Sequence, residues 1–279
     1  MIDKLLQQEI DKSSSDKEVA VLLSGGVDSL SVAFAAQRLG KNITAYTFHL
    51  KDQPSYDAEK AVEVSKLFNW NYKVVEVPTD NLEEDFLRLA KEIMCKKKTH
   101  FECCFPFLYV YPQIKERAVI SGWAADGYYG ISKKAILNYS KVEVGTLDTT
   151  TASKFNEFRK NYFDYFNQAG YLWHERIARN NNKQFITPYL SMRVKDWFYS
   201  KNWYELNEPF QKHHVVTAFD EFKKFKFKKH INLQLGSNID KLFETLIDNK
   251  KINFKKRKRV MDICKDWSTK FENLGQLPV

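Results

Sequence analysis

The sequence predicts an α/β protein in which a twisted parallel sheet carries helices on both faces and a mainly helical C-terminal part follows. Three observations support this prediction. Short apolar segments alternate with segments of helical periodicity in the first half, two apolar segments run directly into glycines, and strand patterns stop after about Ile131. Such alternation is typical of parallel sheets, because the crossover helices cover both faces.

Four strands are predicted from short runs of β-branched, aromatic and other apolar residues. They are Val19–Leu23, Ile43–Leu50, Tyr72–Val77 and Ala118–Ser121. Pro78 ends the third strand, because proline has no N–H group to donate to a sheet.

Helices are predicted between these strands from apolar residues spaced three or four apart. They are Ser29–Leu39, which Gly40 ends, Tyr56–Phe68 with a face of small residues, a segment from Leu82 to Ile93, and Phe105–Lys115. Strands and helices together predict an α/β core over residues 1–140. Aromatic-rich helical segments predict a second, mainly helical part over residues 141–279, with a basic tail.

Composition limits the class of protein. The 279-residue chain is 43% hydrophobic, has no apolar run long enough to cross a membrane and starts without an apolar signal segment. We therefore expect a cytoplasmic protein without membrane association. Its net charge of +9 suits nucleic acid, nucleotides or another acidic ligand without choosing among them. Four cysteines in so long a chain do not predict a disulfide framework.

The turn between the first strand and the first helix reads Ser-Gly-Gly-Val-Asp-Ser. Two glycines let successive backbone N–H groups point into one concavity at the positive end of the helix, which suits an anion. The predicted donors are Ser24, Gly25, Gly26 and Ser29. Asp28 would repel a phosphate unless it holds Mg²⁺. The turn lacks the Gly-Lys-Ser/Thr ending of a Walker A loop, and a tight turn with a capping aspartate is the alternative.

These residues resemble the PP-loop of the N-type ATP pyrophosphatases. Members of that group cleave ATP between its α and β phosphates, adenylate an acceptor oxygen and release pyrophosphate. The resemblance implies an adenine nucleotide alpha-hydrolase-like fold, ATP as the cofactor and Mg²⁺ at Asp28. It also implies that backbone groups at the end of the second strand hold the adenine, at Thr47, Phe48 and His49.

A second glycine motif, Val119–Gly130, reads VISGWAADGYYG. It resembles the S-G-x-G-[AS]-D-E-x-F-G-G-Y segment of asparagine synthetases and β-lactam synthetases. Because the carboxyl ends of parallel strands meet at one edge of a sheet, Asp126 is expected to share a Mg²⁺ ion with Asp28. Gly122 is expected to lie at the pyrophosphate. A turn aspartate without a ligand is the alternative for Asp126.

Two later segments are similar to the same enzymes. Ile186–Phe198 is similar to their P-F-L-D segment, although Ser191 stands where aspartate is usual. Lys226–Asn238 resembles the stretch in which a lysine precedes a glycine loop and stabilises the adenylation transition state over the α-phosphate. That resemblance implies catalytic roles for Lys229 and, as its neighbour, Lys228. A solvated basic helix end is the alternative for both lysines.

Departures from the synthetases concern the acceptor and the nitrogen source. Ile2 stands where glutamine-dependent enzymes carry a catalytic cysteine, and 23 residues precede the loop, so we expect no glutaminase domain. Nitrogen would then come from free ammonia, an amine substrate or a partner. Trp123 replaces a glutamate that assists attack by ammonia, and Glu102 replaces an arginine of the aspartate site. The acceptor site at Glu102 and Trp123 is therefore expected to disfavour aspartate.

Two further groups of residues have either a functional or a purely structural interpretation. Cys95, His100, Cys103 and Cys104 lie close in sequence, but adjacent cysteines suit one tetrahedral ion poorly, so packing competes with a redox or sulfur role. The basic runs Lys223–Lys229 and Lys255–Arg259 are either solvated faces or contacts for a nucleic-acid backbone.

The leading hypothesis is an ATP-dependent, AMP-forming ligase that joins a small-molecule carboxylate to ammonia or an amine. One alternative is a PP-loop enzyme that modifies a nucleobase in tRNA or DNA, which the basic runs favour. Another is a nucleotide-binding protein that has lost its chemistry, which the changes at Trp123 and after Asp126 favour. The oligomeric state is left open.

Overall fold

A computed structural model describes residues 2–96, 98–131, 136, 138, 149–162, 171–226 and 237–242. It contains a five-stranded parallel sheet in the order β3-β2-β1-β4-β5. The strands are β1 Glu18–Leu22, β2 Asn42–Leu50, β3 Asn71–Val77, β4 Ala118–Ser121 and β5 Gln184–Ile186. The predicted fold class and four of these strands are confirmed. The prediction that strands stop after Ile131 is wrong, because β5 adds three residues at the sheet edge.

Helices connect and flank the strands. Their bounds are Ile2–Ser13, Val27–Arg38, Tyr56–Leu67, Leu82–Glu92, Lys98–Cys104, Phe107–Val110, Ala125–Tyr129, Thr149–Tyr162, Tyr171–Asn180, Met192–Tyr199, Trp203–Asn207 and His213–Ala218. The helix predicted over Phe105–Lys115 is confirmed in part, over Phe107–Gln113. Its middle forms one α-helical turn and then the 3₁₀ turn Tyr111–Gln113, because Pro112 has no N–H group for an α-helical bond. Among the described helices, none is long and apolar enough to cross a membrane.

The chain divides into two compact units, and each is described by itself. The first comprises Met1–Ile43, Ala118–Gln168 and Ile186–Lys228, and the second comprises Thr44–Arg117, Ala169–Phe185 and Lys229–Val279. The predicted division near residue 140 stays a prediction.

In the first unit, β1 and β4 pair in parallel, with Val19 opposite Ala118 and Leu22 opposite Ser121. Both strands are almost fully buried, which suits their apolar sequences. Helix Ile2–Ser13 packs Ile2, Leu6 and Ile10 into this core. The carboxyl ends of two central strands thereby reach the same edge, which is where parallel sheets bind ligands.

In the second unit, β2 pairs in parallel with β3, from Thr44 opposite Asn71 to Leu50 opposite Val77. Helix Tyr56–Leu67 starts at Ser55, whose hydroxyl accepts a hydrogen bond from Ala58 N at 3.2 Å. The apolar stripe predicted from Leu82 to Ile93 is buried, as its helical spacing requires.

Candidate functional site

The loop from β1 to helix Val27–Arg38 is held in shape by its own serines. Ser29 Oγ donates to Gly26 O at 3.1 Å and lies 3.2 Å from Ser24 Oγ. Gly25 has φ 70°, in the left-handed region that favours glycine. Gly26 begins the helix without a side-chain cap. The first N–H groups of this twelve-residue helix therefore have no side-chain cap, and anion binding at this loop stays a prediction.

Gly122 brings the second motif directly against this loop. A Cβ atom at this position would lie 2.4 Å from both Asp28 C and Asp28 O and 2.7 Å from Ser29 N. No L side chain fits at such distances, so the glycine is required by the close approach of two backbones. The position of Gly122 at the predicted pyrophosphate loop follows from this packing.

Gly122→Ala is expected to displace the loop, because the atoms that its methyl group would meet are backbone atoms that cannot rotate away. We expect a loss of about 1–3 kcal/mol in the free energy of unfolding, the usual range for overpacking. ATP binding should weaken at least tenfold, about 1.4 kcal/mol. Chemical denaturation and calorimetric ATP titration measure the two effects. Unchanged ATP affinity would contradict the role assigned to this contact.

The two motif aspartates meet on one lysine ammonium. Lys212 Nζ donates to Asp28 Oδ2 at 2.6 Å and also to Asp126 Oδ1. The Lys212 side chain is 6% exposed, that of Asp28 17% and that of Asp126 47%. The cluster is thus closed around Lys212 and opens to solvent at Asp126. The structure brings together the two predicted metal ligands, but with an ammonium between them.

Burial and mutual repulsion determine the protonation of this cluster. Desolvation raises the pKa of Asp28 to about 7, with the carboxylate of Asp126 adding to the rise and the ammonium of Lys212 opposing it. The two carboxylates raise the pKa of Lys212, against the effect of its burial. Lys212 therefore stays charged at neutral pH, while Asp28 titrates there.

Stability is expected to fall as pH rises from about 4 to about 7. In this window the folded protein keeps a proton on Asp28 that the unfolded chain, with a pKa of 3.8, has already lost. A state that binds more protons is disfavoured by raising the pH. Urea denaturation at pH 5 and pH 8 checks this, with Asp28→Asn as the comparison. Equal pH dependence in the two proteins would contradict the assignment.

Lys212 is the site residue that sequence reasoning missed. It lies in the loop before helix His213–Ala218, at the N-cap position, with φ 64°. Its ammonium also lies 5.5 Å from the centre of the Tyr129 ring. A cation at the positive end of a helix is locally unfavourable, and so is a left-handed lysine. Both features are locally unfavourable, so they indicate that tertiary contacts hold Lys212 in place. The backbone conformation cannot be read from the sequence, which indicates at most that a helix starts after Lys212.

Other predicted site residues lie elsewhere in the described chain. Thr47, Phe48 and His49 lie in β2, in the second unit. Glu102 is buried in the same unit and pairs with Lys98 Nζ at 2.9 Å. Trp123 follows β4 in the first unit, and its backbone N–H donates to Ser121 Oγ at 3.3 Å. Their predicted adenine and acceptor roles stay predictions.

The predicted catalytic lysines Lys228 and Lys229 lie outside the described residues, as does the basic run Lys255–Arg259. In the first basic run, Lys223 is exposed and pairs with Asp220 at 2.6 Å.

The cysteine and histidine cluster is buried in the second unit. Cys95, Cys103 and Cys104 are free thiols, and burial raises the pKa of Cys103 and Cys104. A raised thiol pKa lowers reactivity, which favours the packing interpretation. Across the described residues, no group of three or more His, Cys, Asp or Glu side chains is arranged to hold a metal ion.

Three solved structures match this chain, each at low sequence identity and a low TM-score. The predicted subunit of a tRNA methyltransferase from Methanocaldococcus jannaschii is 16% identical over 66% of this chain and 74% of that one, with a TM-score of 0.33. An NH3-dependent NAD synthetase from Campylobacter jejuni is 14% identical over 100% of this chain and 95% of that one, with a TM-score of 0.29. An NMN synthetase from Francisella tularensis is 15% identical over 100% of this chain and 94% of that one, with a TM-score of 0.35.

Family membership rests on a separate comparison. No curated protein matches the chain. A family model described as asparagine synthase matches residues 1–231, which include both glycine motifs and Lys212. The resemblance inferred from the two motifs is confirmed. The chain belongs to the asparagine synthase family and is a PP-loop enzyme that uses ATP.

Proposed function

We propose that the protein cleaves ATP between the α and β phosphates and transfers AMP to a carboxylate. The observation that carries this proposal is the meeting of Asp28 and Asp126, one from each glycine motif, on the ammonium of Lys212. Each strand end thus delivers a charged group to the edge where the PP-loop offers its N–H groups.

The residues in hand suit the departure of pyrophosphate. As the α–β bond breaks, negative charge grows on the leaving oxygens. Fixed donors stabilise such charge without reorganising, which is the main contribution to catalysis of phosphoryl and adenylyl transfer. The loop N–H groups at Gly25 and Gly26 and the ammonium of Lys212 are the donors that we assign to it.

Magnesium fits the two carboxylates. Asp28 Oδ1 is buried and accepts no hydrogen bond within the described residues, so it is available as an oxygen ligand. With both carboxylates ionised, one ammonium leaves the cluster with a net negative charge. Mg²⁺ is commonly bound by one or two carboxylates together with substrate phosphates. Held by Asp28 and Asp126, it would screen the phosphates from these carboxylates.

The acceptor chemistry completes the proposal. An oxygen of the acceptor carboxylate attacks the α-phosphorus, the bond to the β-phosphate oxygen breaks, and pyrophosphate leaves. The nitrogen of ammonia or an amine then attacks the acyl carbon, the carbon–oxygen bond to AMP breaks, and the nitrogen loses a proton to solvent. We assign transition-state stabilisation to Lys229 or Lys228 and acceptor selection to Glu102 and Trp123, as their resemblance to the family implies.

ATP–pyrophosphate exchange with panels of acceptors tests the proposal. Radiolabel from pyrophosphate should enter ATP when a small carboxylic acid is present, because adenylation is reversible. Exchange only with tRNA or DNA would favour a nucleobase-modifying enzyme instead. ATP binding without exchange for any acceptor would favour a nucleotide-binding protein without this chemistry.

A further inference from the structure

The short helix that carries Asp126 is held at its C-terminal end by buried side chains. Each of its last carbonyl groups accepts a hydrogen bond from a side chain of a later helix. The bonds are Arg159 Nη1 to Tyr128 O at 3.5 Å, Asn207 Nδ2 to Tyr129 O at 2.8 Å and Trp203 Nε1 to Gly130 O at 3.1 Å. A helix of five residues is not stable alone, so tertiary contacts, these three hydrogen bonds among them, determine where it lies.

Arg159 anchors this end of the helix to a second helix end. Its side chain is fully buried, and it donates to Phe198 O at 2.7 Å and to Lys201 O at 3.0 Å. The guanidinium also lies 4.0 Å from the centre of the Phe155 ring. Arg159 therefore serves packing as much as the site, which makes it a poor probe of either.

Asn207 is a sharper probe because it lies on the path to Lys212. It closes helix Trp203–Asn207, is 3% exposed, and its Nδ2 also donates to Trp203 O at 2.9 Å. Lys212 follows five residues later in the same connection. One amide group thus joins the Asp126 helix to the segment that delivers the ammonium to Asp126.

We infer that Asn207 is a positioning residue that sets Lys212 against Asp126 and thereby prepares the site for the phosphates of ATP. The inference rests on the proposed function for its consequence in ATP binding. Its structural part, the seating of Lys212, does not depend on any nucleotide.

Asn207→Leu removes the amide and keeps a side chain of the same branching and the same number of heavy atoms. ATP binding, measured by calorimetry, should weaken about tenfold, or 1.4 kcal/mol. In a Lys212→Met background the same change should weaken binding less than twofold further, because residues that act through one another are not additive. Should Asn207→Leu not fold, Asn207→Ser, whose shorter side chain cannot reach Tyr129 O, takes its place.

Asn202→Leu is the matched control, since it makes the same substitution at the other end of the same helix. Asn202 caps this helix by accepting from Glu205 N at 2.9 Å, so its loss costs stability while the bond from Asn207 to the Asp126 helix is kept. We expect ATP affinity within twofold of wild type in this control. An equal loss of affinity in both variants would overturn the inference, because it would indicate a general effect of destabilisation.

The position of Lys212 can be tested without ATP by measuring how fast a succinimidyl ester acylates its amine, with mass spectrometry as the readout. The ammonium of Lys212 is buried and hydrogen-bonded to two carboxylates. It should therefore react slowly in the wild type and in Asn202→Leu, and at least about fivefold faster in Asn207→Leu. If the wild type binds no ATP but this contrast is found, the proposed function fails and the positioning role stands. If Lys212 is equally protected in Asn207→Leu and the wild type, the positioning role is wrong.

Discussion

Lys212→Met is expected to lower ATP-dependent adenylation at least a hundredfold. The substitution keeps the length of the side chain and removes the ammonium that Asp28 and Asp126 share. Removing one stabilising donor from a preorganised site commonly costs 10²–10³ in rate. The loss of charge also leaves two carboxylates facing each other, so the free energy of unfolding should fall by about 3–5 kcal/mol at pH 8.

A charge-balancing variant separates the two effects of this substitution. Lys212→Met with Asp126→Asn removes one charge of each sign, so its stability should exceed that of Lys212→Met alone while adenylation stays lost. Lys223→Met, which breaks an exposed pair with Asp220, should leave both properties nearly unchanged. Retention of more than a third of the adenylation rate by Lys212→Met would contradict the role of Lys212.

Asp28→Asn should have effects of opposite sign on activity and stability. Adenylation should fall at least a hundredfold, because a neutral amide cannot serve as an ionised ligand for Mg²⁺. At pH 8 the protein should become more stable, since the ionised carboxylate of Asp28 is costly to bury beside Asp126. Opposite signs of this kind are expected where a site is built at the expense of stability.

Asp126→Asn is the comparison for that prediction. Its side chain is 47% exposed, so the substitution should abolish adenylation with a smaller effect on stability than Asp28→Asn. Initial rates and urea denaturation at pH 8 measure both variants. Adenylation that survives in Asp126→Asn would show that the two glycine motifs do not form one site.

The parts of this site that depend on the local chain could be predicted from sequence. The loop serines, Gly122 and the two aspartates follow from glycine motifs placed at strand ends, and the structure brings them within one unit. The geometry also explains why Gly122 is glycine, which the motif alone does not.

The parts of the site that depend on segments far apart in the sequence could not be predicted. Lys212 reaches the aspartates from a loop that has no motif of its own, and its position depends on the packing of helix Trp203–Asn207. Strand β5 has only three residues, too few for a periodic pattern, and it is stabilised by pairing at the sheet edge. Tertiary contacts determine both the position of Lys212 and the formation of β5, so local secondary-structure propensity predicts neither.

Product analysis tests the central claim most directly. ATP labelled at the α-phosphate is incubated with Mg²⁺, the protein and the acceptor that supports exchange, and the nucleotides are separated. Cleavage between the α and β phosphates predicts labelled AMP with an equal amount of pyrophosphate, abolished in Lys212→Met. Labelled ADP with inorganic phosphate would contradict the account, because it would mean that the loop holds a different bond for cleavage.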